Sequence, residues 1–218
     1  MKNNLQTFHP DAYYHVFSRT NNKEKLFVND GNYLYFLRKY DQYISPVLTT
    51  YAYCLLGTHF HLLVKIKSEQ QLQNFDSTKE KETKPDRSLR SVRFELDDNY
   101  YHKIVSRQFK NFFTSYSKAF NKQQSRSGNL FQRPFKRVHV KTEVHLANVT
   151  YYIHANPEIH GLVDNFTKYK WSSYHSFLSD GKTPIPRKEV FQWFGGKKVF
   201  VDFHIHKREL IDPFWIIE

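Results

Sequence analysis

The chain has 218 residues, 39% of them hydrophobic, which suits one domain with a real core. Lys and Arg number 33 against 21 acidic residues, a net charge of +12 that points to a polyanionic partner, most simply nucleic acid. Seven scattered glycines form neither a phosphate-cradling loop nor a dinucleotide fingerprint, which sets aside nucleotide-driven chemistry.

The N-terminal stretch MKNNLQTFHPDAYY lacks the apolar segment of a signal peptide, and no apolar run approaches the ~18 residues of a membrane span. Tyr13 to Arg19 alternates enough for a first strand, and the polar cluster Thr20 to Lys25 is a loop. Asn29 or Asp30 caps a helix running to Tyr43, apolar at Tyr33, Phe36, Leu37 and Tyr40 and closed by Pro46. Val47 to Leu56 and Phe60 to Ile66 read as two strands joined by a turn at Gly57. Cys54 is the only cysteine, so no intrachain disulfide forms; its apolar neighbours suit a buried thiol, and the chain fits a reducing cytoplasm.

His59 and His61 flank Phe60. In an extended backbone alternate side chains share a face, so both imidazoles project together while Phe60 enters the core. For any His-x-His in a chain with 12 histidines, two ordinary histidines at a strand edge is the plainer reading. This pair is set apart by apolar runs on both sides, which place it on a rigid element of the kind a metal site needs. The second such triplet, His204-Ile205-His206, is followed at once by charges and reads as surface.

Residues 67–99 are charged with almost no aliphatic pattern and read as a flexible insertion. Tyr100 to Lys122 restores helical periodicity, with Val105, Phe109, Phe112, Tyr116 and Ala119 or Phe120 on one stripe. Gly128 marks a turn. Leu130 to Lys141 then reads as a strand carrying Arg133, Lys136, Arg137 and Lys141, either a phosphate-binding surface or simply a basic exposed face.

Thr142 caps a helix that Pro157 disfavours continuing beyond Asn156. Tyr152 and Asn156, four apart, share a face of its last turn, while Tyr151 points about a hundred degrees away toward the apolar side. His154 is open as a ligand or an acid, although helical geometry turns it elsewhere. Past residue 180, Pro184 and Pro186 make a spacer, Lys188 to Phe194 a short helix and Val199 to Leu210 another. This extension, 181–218, is either a basic DNA-binding tail or a lid packed on the domain.

If the Tyr152 face looks at His59 and His61, a phenol and an amide oxygen join two imidazoles. Such a set can hold a divalent cation that grips a scissile phosphate while the phenol oxygen attacks phosphorus. The product is a 5'-phosphotyrosine with a free 3'-hydroxyl, and because the ester conserves bond energy the strands can be rejoined without ATP.

Several motifs together carry a resemblance. GTHFHLLV is similar to the histidine-hydrophobe-histidine signature of the HUH endonucleases. RSGNLFQRPFK, YIHANPEIHGLV and YKWSSY, in that order, resemble the single-tyrosine transposases associated with repetitive extragenic palindromes (REP), a likeness running from about Tyr13 to Tyr174. The resemblance implies an α+β, ferredoxin-like fold with an antiparallel sheet between helices over residues 1–180. It implies His59, His61 and Asn156 as metal ligands, Mg or Mn as the ion, and Tyr152 as the nucleophile. It also implies single-stranded DNA and imperfect hairpins as partners and a monomer or homodimer. A hairpin stem needs backbone cations, for which Arg126, Arg133, Lys136 and Arg137 are candidates. Trp171 and Tyr174 are either core or base-stacking rings. Two other readings stand: a hairpin-binding protein of the same fold that does not cut, and a metal-dependent hydrolase in which water attacks.

Overall fold

The computed structural model describes residues 6–83 and 99–206. Four antiparallel strands, β1 (Tyr13–Arg19), β2 (Leu48–Leu55), β3 (His59–Ile66) and β4 (Lys136–Val140), form one sheet in the order β2-β3-β1-β4. That is the ferredoxin-like order, with α1 (Asp30–Tyr43) crossing from β1 to β2 and α3 (Tyr100–Gln123) lying between β3 and β4 in sequence. Asn29 starts α1 with a reciprocal capping box: its side chain accepts from the Asn32 amide while the Asn32 side chain accepts from the Asn29 amide.

Strand pleating sorts β3 residue by residue. Phe60, Leu62, Val64 and Ile66 join the core under α1 and α3, while Leu63 packs in the core on the other face. That second face is covered by α4 (Glu143–Ile159) and by the C-terminal helices α6 (Arg187–Phe194) and α7 (Lys197–His206), with the short α5 (Tyr174–Leu178) beside them. The extension therefore packs on the domain through residue 206: Val190, Phe194 and Phe200 are buried there. Leu210 and the rest of 207–218 lie outside the described residues.

Four expectations need correcting. Residues 67–99 are not one continuous flexible insertion, because Glu69–Thr83 is a helix, α2. Ser68 and Gln71 cap it reciprocally (3.1 and 3.4 Å), Leu72 is fully buried, and Asp76 pairs with Arg107 of α3. The remaining stretch, 84–98, lies outside the described residues. β4 starts at Lys136 rather than Leu130, since Pro134 has no N–H for a ladder. Helix α4 continues through Pro157 to Ile159, so the proline shortens the helix by less than its restriction on the preceding residue suggests. His204 is not on the surface: it is fully buried, as described below.

Candidate active site

Cross-strand register assembles the site on the α4 face. Phe17 lies opposite His61 and Arg19 opposite His59, so β1 delivers His15, Phe17 and Arg19 to the side that carries the histidine pair. The His15 ring lies 5.2 Å from that of His61, nearly parallel, and His15 Nε2 is 3.0 Å from His61 Nδ1. Thr58 Oγ1 is 3.0 Å from His59 Nδ1. Each histidine of the pair thus has Nδ1 engaged by a neighbour, so a metal held by this pair would bind through Nε2. His61 Nε2 is buried without a hydrogen-bond partner among the described residues.

Helix α4 supplies the opposite wall. Thr142 caps it, accepting from the His145 amide at 3.2 Å. The Tyr152 ring meets His61 edge-on at 5.6 Å and 89°, and His15 at 5.8 Å and 80°. Tyr151 turns away into the C-terminal helices, against Phe203 (5.9 Å) and His204 (5.5 Å). Asn156, fully buried, donates Nδ2–H to the Tyr152 carbonyl at 2.8 Å. That bond fixes the amide's orientation, so the buried Oδ1, which has no partner among the described residues, is presented as a hard oxygen donor.

Burial lowers the His15 pKa to about 3, helped by the charge of His145. Burial also holds His61 well below its usual range, and the neighbouring His15, His59 and His160 and the Arg19 guanidinium further disfavour its protonation. Both rings are neutral at pH 7, the form that ligates metal. Among the described residues no three His, Cys, Asp or Glu side chains form a metal-holding group. Two imidazoles and one amide oxygen are donor types that a divalent cation accepts. The sequence reading missed His15, and it missed His160, whose ring stands 4.7 Å from that of His59. The strand period alone would have put His15 on the face of the pair once β1 and β3 were known to be neighbours.

His154 is no part of this wall. It lies in a buried chain: His204 donates Nδ1–H to the Phe200 carbonyl (2.8 Å), which leaves its Nε2 to accept from His154 Nδ1–H (3.0 Å). His154 Nε2 then accepts from the Ser173 hydroxyl (2.8 Å), and Ser173 Oγ accepts from the Tyr53 amide (2.9 Å). The chain ties α7 through α4 to the edge strand β2.

The four candidate DNA-binding cations separate. Arg133 and Lys136 are exposed, with the Lys136 ammonium 5.7 Å from the Phe17 ring centre. Arg126 is held by Glu24 (2.7 Å) and Asn121 (2.5 Å). Arg137 is buried, its guanidinium over the Phe8 and Phe135 rings and donating to the Gln6 carbonyl. Its charge is spent on packing, which corrects its assignment to the DNA surface. Tyr174 is buried core. The Trp171 ring stacks on Tyr33 (4.2 Å, 4°) and carries the Lys170 ammonium 4.7 Å from its centre, so it too is spoken for.

Comparison with known proteins agrees with the motif resemblance. A Haemophilus influenzae protein carrying the name REP-associated tyrosine transposase is 28% identical over 130 residues, 58% of this chain; the match likewise spans 58% of that relative's length. A solved structure, of a REP-associated tyrosine transposase bound to a REP hairpin, superposes with a TM-score of 0.53 at 13% identity, covering 84% of this chain and 89% of that one. At that identity the superposition speaks to the fold, an α+β antiparallel sheet flanked by helices. No family model matches the chain. Among the described residues no helix is long and apolar enough to cross a membrane.

Proposed function

We propose that the protein is a divalent-metal-dependent single-stranded DNA endonuclease and strand transferase that acts at DNA hairpins, with Tyr152 as nucleophile. The observation that carries the reading is the Tyr152 ring lying edge-on against His61 while Tyr151, its neighbour in sequence, points into the C-terminal helices. The structural neighbour holds a REP hairpin, and a DNA hairpin is accordingly the substrate class proposed for this chain.

His59 Nε2, His61 Nε2 and Asn156 Oδ1 would hold the cation, Mg or Mn. When bound, it supplies charge neutralisation at the scissile phosphate. The rest of the chemistry belongs to the chain. The Tyr152 oxygen loses its phenol proton and bonds to phosphorus as the bond from phosphorus to the 3'-oxygen breaks; the departing oxygen takes up a proton and becomes a 3'-hydroxyl, leaving the 5'-phosphate on the tyrosine. An incoming 3'-hydroxyl reverses these bond changes, one phosphodiester for one phosphotyrosine, so rejoining needs no nucleotide. His15 keeps the His61 ring in place, and Asn156 ties its own amide to the backbone of the nucleophile.

One observation favours a second reading, a hairpin-binding protein that does not cut: Tyr152 is only 6% exposed, so a phosphate reaches it only after this wall opens. The test is incubation with an end-labelled single-stranded hairpin and Mn. A denaturation-resistant adduct that persists in Tyr151→Phe and disappears in Tyr152→Phe supports the nuclease. Hairpin binding without any adduct supports the binder, and multiple-turnover cleavage that survives Tyr152→Phe supports water as the nucleophile.

A further inference from the structure

The basic residues of this chain are concentrated. Residues 99–142 contain ten Lys and Arg and no Asp or Glu, so this fifth of the sequence carries +10 of the net +12. It folds as α3, the connecting segment and β4, and between α3 and residues 128–135 runs a groove of about 640 Å³. The volume is within the ~300–1,000 Å³ usual for pockets that take small organic groups.

Lys110 and Lys118 of α3 stand on one side of the groove and Arg133 on the other, all three exposed. Half-buried Phe113 and Phe135 line it, with hydroxyl and amide groups such as Thr114 and Asn121 between them. Among the described residues lining it, none is acidic. The groove does not stop there. Its Gln132, Pro134 and Phe135 also border a smaller hollow formed with Phe17, Ser18, Arg19 and Lys136. Phe17 stacks on His61 at 5.5 Å, and Arg19 lies opposite His59. Ser18, 4% exposed, has a buried hydroxyl oxygen with no partner among the described residues at that junction.

We propose that the groove between α3 and residues 128–135 binds the unpaired DNA strand that flanks the hairpin and leads it around the end of β1 to the histidine pair. The inference rests on the DNA reading above. Cations at the rim match phosphates, and ring edges with hydroxyl and amide groups in the floor match unstacked bases. A duplex stem turns its bases inward and offers only its convex backbone, which has no use for a concave, half-apolar floor.

The test separates flank from stem. Binding of fluorescent hairpins with and without a single-stranded flank is measured by anisotropy in the Tyr152→Phe background with EDTA, so that no cleavage occurs. The triple variant Lys110→Ala, Lys118→Ala, Arg133→Ala is expected to weaken binding of the flanked hairpin by roughly tenfold or more and to reduce its salt slope by ~2, at ~0.7 per phosphate on a single strand. The bare hairpin should bind as before. A control pair on α1, Arg38→Ala with Lys39→Ala, should change neither. Equal weakening of both hairpins assigns the groove to the stem and overturns the proposal, and so does unchanged binding of both. Absence of a tyrosine adduct in the cleavage assay, by contrast, counts against the nuclease and leaves this binding test intact.

Discussion

Replacing Ser173 by Ala probes how the C-terminal helices hold the helix that carries Tyr152. Ser173, His154 and His204 are each fully buried. The substitution deletes the 2.8 Å bond to His154 Nε2 and the 2.9 Å bond from the Tyr53 amide, leaving the first group buried and the second part-buried without that partner. An orphaned buried polar group costs ~1–3 kcal/mol, and with the Tyr53 amide only part-buried and so near the low end, the two together cost about 3 kcal/mol. For a chain of this size that lowers the melting temperature by roughly 10 °C. Calorimetric melting with a urea series measures it. His204→Leu orphans the His154 Nδ1–H and removes the bond to the Phe200 carbonyl, and the double variant should fall short of the sum because both act through His154. A loss below about 1 kcal/mol in Ser173→Ala would refute the reasoning, since it would mean that the chain of bonds holds nothing together.

Acid should destabilise the fold through its neutral histidines. The unfolded chain takes up the His15 proton below the ordinary histidine value of 6.5 while the fold resists until about 3, so this contribution is full above 6.5 and shrinks as pH falls. Between pH 7 and pH 5 the loss from His15 alone is about 2 kcal/mol, with His61 and His154 acting in the same direction, and a denaturation midpoint that stays level over that range contradicts it. His15→Phe keeps a ring beside His61 but removes the nitrogen that orients it. Manganese affinity by titration calorimetry should fall roughly 10- to 100-fold, and an unchanged affinity would mean that His61 needs no such partner. Gly195 ends α6 at φ 81°, so Gly195→Ala should cost about 1–2 kcal/mol of stability, read by urea denaturation; no cost would show that the turn can relax.

Much of the frame was legible because the signals are local. The alternation of Tyr13 to Arg19 and the cap at Asn29 need no knowledge of distant residues, and the strand period alone sends Phe60 one way and His59 and His61 the other. The helix over 69–83 was hidden because its charged composition outweighed a capping signal, Ser68 with Gln71, and the single turn's worth of apolar side chains at Leu72 and Phe75. Pairings across long sequence distances were invisible for a different reason. His204 looks like a surface residue beside its charged neighbours, and only the fold brings it to His154, 50 residues away. His15 became part of the site through strand order, and Arg137 left the DNA surface because the Phe8 and Phe135 rings enclose it, which no periodicity in β4 announces.

The proposed reaction turns on which atom of the protein becomes bonded to DNA. Mass spectrometry of the peptide 142–168, isolated after reaction with a single-stranded hairpin and Mn, should locate a phosphonucleotide on Tyr152. The same label on Tyr151, or a cleaved strand whose 5'-phosphate is never attached to the protein, would contradict it.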